Sequence, residues 1–236
     1  MRFFGRSGRR LSVSVRRACR GRAWSARAAR AAAPYSVVRL RAGAFLNVPY
    51  DDEYELLYVA LVAGLVAFGL NPRATLELPG PERRLSRILR LLKSCRYSFH
   101  DLSRVQLSHG APRFNMPLEL GLAVALSAHG SAKHRWIILE ARPHRAQRTI
   151  SDLSGTDPYC HHGRVNRLLS ELSNALLGIA VQPNMKELRA VHRTVRRAAR
   201  RIRADHGTVY GARAFKDLVF AATDAARSVV RTGAHR

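Results

Sequence analysis

Between Ser36 and about Leu177, short apolar and β-branched runs alternate with longer stretches whose apolar residues recur at helical spacing. Consecutive parallel strands need a crossover, so this alternation points to a parallel sheet with helices on both faces, an α/β fold. The strand candidates are Val37-Val38 with Ala44-Phe45-Leu46, then Arg73 to Leu78, Cys95 to Leu102, Arg135 to Leu139, and a weaker Thr149 to Leu153. The spacing predicts helices over about 52–68, 82–94, 117–126 and 163–177. Local signals mark their ends. Asp51-Asp52-Glu53 suits a helix N-terminus, Gly69 with Asn71-Pro72 stops a helix, and Pro117 belongs in a first turn, where its missing N–H costs nothing. Past Pro183 the pattern changes to two amphipathic helices, about 185–203 and 212–230, an appendage to be packed against either the sheet domain or a partner.

Charge divides the chain in the same way. The net charge is +25, yet residues 1–42 carry twelve Arg and no acid, 43–157 carry only +3, and 158–236 carry +10. The part that reads as a folded domain is nearly balanced, so the basicity belongs to the ends. Three segments follow: a basic arm over 1–42, an α/β domain over 43–182 and a basic α-helical extension over 183–236. The arm is open to three readings: a disordered arm, a targeting segment or translated sequence ahead of the true start. Clustered Arg attracts polyanions, but no aromatic interleaving or nucleic-acid-binding signature accompanies it, and nucleic acid is not the expected partner. The longest apolar run, Leu56 to Leu70, is too short to cross a bilayer and reads as a buried helix. Three scattered cysteines (Cys19, Cys95, Cys160) argue against a disulfide framework and for a reducing, cytoplasmic setting.

In open parallel sheets, ligands bind beyond the carboxyl ends of the strands, where the strand order reverses. With the order 2-1-3-4-5 that point lies between the first and third strands. The loops leaving those strands carry Asn47, Tyr50, Asp101 and Ser103, and the helix after the third opens with Asn115 and Glu119. Glu119 is the prime candidate, a carboxylate in the opening turn of an apolar helix. Arg113, just ahead of it, suits a phosphate held at a helix N-terminus, and Tyr50 suits stacking on a base. Each has a plainer reading. Glu119 complements a helix dipole, Asp101 caps a turn and Asn115 is a helix N-cap. Cys160-His161-His162 lacks a fourth ligand at sensible spacing, so no metal is expected. No phosphate-binding glycine loop and no G-x-S-x-G nucleophile elbow occurs.

Taken in order, Phe45-Leu46-Asn47-Val48-Pro49-Tyr50, Asp101-Leu102-Ser103 and Phe114-Asn115-Met116-Pro117-Leu118-Glu119-Leu120-Gly121 resemble the TIR-like and nucleoside 2-deoxyribosyltransferase-like superfamily. The resemblance covers roughly residues 43–180. It implies a flavodoxin-like fold and a glutamate, here Glu119, that attacks or stabilises the anomeric carbon of a nucleoside or nicotinamide dinucleotide. By the same likeness Asp101 orients the sugar or base, and Gly121 lets the helix lie close to the sheet. The expected activity is cleavage or transfer at an N-glycosidic bond, with NAD as a possible substrate and no cofactor. Asn47, Tyr50, Ser103, Arg113 and Asn115 would form the binding set. Self-association through the C-terminal helices and a role in bacterial defence or signalling would follow. The rivals are a nucleotide-sensing or interaction domain that binds without turnover and, behind it, a basic nucleic-acid-associated protein that uses its Arg-rich ends.

Overall fold

A computed structural model describes residues 42–77, 83–104, 107–108, 111–112, 114–129, 134–153 and 155–233. Val37-Val38, Arg113 and the basic arm up to Arg41 lie outside these. Five parallel strands form one sheet: β1 (Ala42–Asn47), β2 (Leu70–Ala74), β3 (Tyr97–Asp101), β4 (Arg135–Glu140) and β5 (Tyr159–Cys160). Their order is 2-1-3-4-5. The helices are α1 (Glu55–Ala67), α2 (Arg84–Ser94), α3 (Asn115–His129), α4 (Arg145–Thr149), α5 (Val165–Ala175), α6 (Met185–His206) and α7 (Ala212–Gly233). A small antiparallel hairpin, Leu107–Ser108 with Ala111–Pro112, stands in the long β3–α3 connection.

Period-two alternation sends neighbouring side chains of a strand to opposite faces. Ala44, Leu46, Tyr97, Phe99, Ile137 and Leu139 enter one core with α1, α5, α6 and α7. Phe45 packs with Ile88, Leu91 and Ala123 on the other face, where Ile138 also meets Met116, Leu120 and Ala146. Two strands differ from the sequence reading. β2 begins at Leu70, directly after Gly69 turns the chain at φ +75°, and Pro72 sits inside it opposite Ala44. An edge strand tolerates this, since the missing N–H is needed by no neighbour. The weak fifth strand is misplaced. Residues 149–153 lie in the end of α4 and a 3-10 turn, and the strand is the two-residue β5, paired with Leu139 and Glu140.

α1 is buried on nearly every side, with 11 of its 13 residues inside. A helix apolar all round must be covered all round. The sheet covers one side and the apolar faces of α6 and α7, including Leu188, Val191, Val195, Phe215 and Leu218, cover the other. The C-terminal helices therefore share the α/β core, with their apolar faces turned inward. α6 is well started, with Asn184 and Glu187 forming a reciprocal capping box. No described helix is long and apolar enough to cross a membrane.

Gly121 does not bring α3 close to the sheet. It faces solvent, and a Cβ placed there would meet nothing within 4 Å. Gly121→Ala is therefore expected to stabilise the protein by about 0.5–1 kcal/mol through helix propensity alone, measured by urea unfolding. A loss of stability would show that close packing is required after all.

Candidate active site

A polar cavity of about 310 Å³ opens at the carboxyl end of β1. It is lined by Asn47, Tyr50, Thr75, Arg84, Asn115 and Glu119, with Leu46, Val48, Pro49 and Met116. The strands deliver the loops, and α3 delivers the carboxylate. Leu118 N–H donates to Phe114 O at 3.1 Å, so Phe114 is the N-cap, Asn115 is the first helical residue and Glu119 lies beyond the first turn. Two plainer readings lose ground as a result. Asn115 is not the N-cap, and Glu119 sits where the dipole effect has already faded.

Glu119 is 6% exposed, and its carboxyl group takes no hydrogen bond from a described residue. Burial pushes its pKa up from 4.5 to about 7, and the Arg84 guanidinium pulls modestly the other way. At neutral pH it is thus poised between its two forms, a condition concentrated at functional sites. Tyr50 presents a wall of the cavity. Its ring meets Tyr58 and Tyr210 edge-on at 6.1 and 5.6 Å, its hydroxyl is buried without a well-formed bond beside Thr75, and burial raises its pKa. Tyr210 also donates to Asp51 O at 2.6 Å, so the α6–α7 connection braces the loop that carries Tyr50.

Asp101 is not among the residues lining this cavity. It follows Phe99 by two positions and so points to the α1 and α5 face, whereas Asn47 shares the α2 and α3 face with Phe45. Its carboxyl group is fully buried and fully used. Oδ2 accepts from the Tyr54 hydroxyl and from His161 Nε2 at 3.0 Å, while Oδ1 accepts from Ser103 N–H at 2.8 Å. Ser103 belongs to this cluster too, its Oγ lying 3.1 Å from His161 Nε2. The trio has the composition of a Ser-His-Asp triad without its wiring, because Asp101 and Ser103 both meet Nε2. Nδ1 accepts instead from Gly163 N–H at 3.0 Å. Substituting Asp101→Asn is expected to cost about 2–4 kcal/mol in urea unfolding, because buried donors lose a charged acceptor. Loss of turnover with unchanged stability would return Asp101 to the chemistry.

Sequence reasoning missed Arg84 and Thr75, which nothing in a helix start or a strand end marks as facing a ligand. It also missed Glu140, a buried carboxylate whose Oε1 accepts from Ala146 N–H and so caps α4. His144 at that position has φ 62° and offers no cap of its own. A larger depression, about 410 Å³, lies between β2 and α7, but Arg73 and Glu77 along it are paired with each other at 2.9 Å. The smaller cavity carries a buried carboxyl group with no hydrogen-bond partner among the described residues and is the better candidate.

Sheet order, helix placement and a cavity at the carboxyl ends of the strands define a flavodoxin-like α/β protein. No family model matches the sequence, and comparison with curated proteins and with solved structures finds no match.

Proposed function

We propose that the protein acts on the N-glycosidic bond of NAD or another nucleotide or nucleoside, by hydrolysis or ribosyl transfer, with Glu119 as the catalytic carboxylate. The observation that carries this reading is the Glu119 carboxyl group: buried, unpartnered among described residues and set in the wall of a polar cavity at the carboxyl end of β1. Breaking a sugar–base bond moves its electron pair to the departing base and leaves positive charge on the anomeric carbon. A carboxylate beside that carbon stabilises the charge or captures it as an ester, which water or an acceptor base then resolves. Asn47, Asn115, Thr75 and Tyr50 supply polar contacts, and Arg84 supplies the positive charge that favours a phosphate. Asp101 with Ser103 would support the site by holding the β3 loop.

Only the ionised form of Glu119 can do this work. Its pKa of about 7 gives the pH dependence its sign: turnover rises with pH through about 7 and levels off above. The test is release of nicotinamide from NAD, and of free base from a nucleoside panel, followed from pH 5 to 9. A rate that falls as pH rises would exclude an ionised Glu119 as the catalyst. Binding without release would favour the sensing reading.

A further inference from the structure

Behind the cavity runs a chain of buried hydrogen bonds that admits one complete set of proton positions. The Met116 carbonyl can only accept, so Asn47 turns Nδ2 toward it at 2.9 Å, and the second N–H of that group donates to His100 Nδ1 at 2.9 Å. At the far end the Cys95 carbonyl can only accept, so the His134 Nδ1–H faces it, also at 2.9 Å. Ser98 Oγ lies 2.8 Å from both His134 Nε2 and His100 Nε2. With both rings neutral, Ser98 donates to His134 and accepts from His100, and every donor meets an acceptor. A proton added to His134 would turn its Nε2 into a donor and leave the Ser98 O–H without its acceptor. One added to His100 would aim an N–H at the Asn47 NH₂ group. Ser98 and His100 are fully buried, with Asn47 and His134 each at 5%, so a mismatch has no water to repair it. Burial also favours the neutral rings, taking His100 down to about 3 and lowering His134.

The chain uses both N–H groups of Asn47 and leaves its Oδ1, which takes no bond from a described residue, while Asn47 itself lines the cavity. We propose that His134, Ser98 and His100 are positioning residues that hold the Asn47 carboxamide oxygen toward the cavity. There, with the Glu119 carboxylate, it selects a ligand presenting hydroxyl donors, the vicinal diol of a ribosyl group. The ligand class rests on the function proposed above; the positioning chain does not.

Two measurements separate these. Long-range ¹H–¹⁵N spectra of the full chain labelled at histidine, assigned with single His→Gln variants, report which ring nitrogen is protonated. The expected result at pH 7 is Nε2–H for His100 and Nδ1–H for His134, with neither becoming cationic between pH 5 and 8. The opposite tautomer at either ring overturns the chain. Calorimetry with adenosine and 2′,3′-dideoxyadenosine then tests the selection. The wild-type protein is expected to prefer adenosine by at least about tenfold, because the dideoxy compound leaves buried acceptors unpaired. In Ser98→Ala, with the fold verified by circular dichroism, the preference falls to about threefold or less. Should that variant not fold, the wild-type ratio and tautomers still decide. Equal wild-type affinities overturn the selection. Expected tautomers with neither nucleoside bound overturn the diol selection and leave the positioning chain standing, while nicotinamide release from NAD decides the N-glycosidic reading separately.

Discussion

Glu119→Gln is expected to lower base release by about a thousandfold or more and, at the same time, to make the protein more stable at pH 8. The two effects share one cause. Burial holds the folded-state pKa near 7, against an ordinary value of 4.5, so the folded chain grips this proton more tightly than the unfolded chain. Below about pH 4.5 both states hold it, and the group costs nothing. Between 4.5 and 7 the unfolded chain releases it first, and stability falls by about 3 kcal/mol, a loss that persists at higher pH. Glutamine keeps the shape and removes the charge. The variant should therefore gain about 2–3 kcal/mol over wild type at pH 8, roughly 5–10 °C in Tm, and almost nothing at pH 4. Thermal melts at the two pH values, run beside the nicotinamide assay, decide the matter. A variant less stable than wild type at pH 8 would mean that Glu119 holds the structure together.

A chain ending at Gln182 is expected not to fold. The charge pattern makes residues 183–236 look separable, but they cover the outer side of α1. Leu188, Val191, Val195, Ile202, Phe215 and Leu218 would all be lost from the core. At about 1.5–3 kcal/mol for each large buried side chain, the loss is on the order of 10 kcal/mol, as large as the whole stability of an ordinary domain. Removing them would also strip Tyr210 from Tyr50, and Arg203 from Glu55, which it meets at 2.6 Å. Heteronuclear NMR of the shortened chain should show collapsed, poorly dispersed amide signals. Dispersed signals and a cooperative melt would show that the α/β part stands alone.

The placement of Asp101 shows how far the sequence was legible. Strand ends, loops and helix starts could be read from turn residues and spacing, and these located Asn47, Tyr50, Asp101 and Glu119 near the carboxyl edge of the sheet. Which face each side chain takes depends on strand register to a single residue. Asn47 closes β1 on one face and Asp101 closes β3 on the other. No spacing argument across the stretch of chain between them reaches that accuracy. β5 was missed for a related reason. Two residues carry no periodicity, and only their pairing with Leu139 and Glu140 makes them a strand.

Local periodicity and chain-stopping residues were enough to set the alternation of strands and helices, the parallel α/β class and the burial of the apolar run as far as Leu70, of which Leu56 alone is exposed. Folding was needed to bring α6 and α7 onto α1, to set the carboxyl groups of Asp101 and Glu119 on opposite faces, and to join Asn47 to His100, Ser98 and His134 by hydrogen bonds. Those outcomes depend on desolvation and hydrogen bonding between residues brought together from distant parts of the chain, which local patterning does not encode.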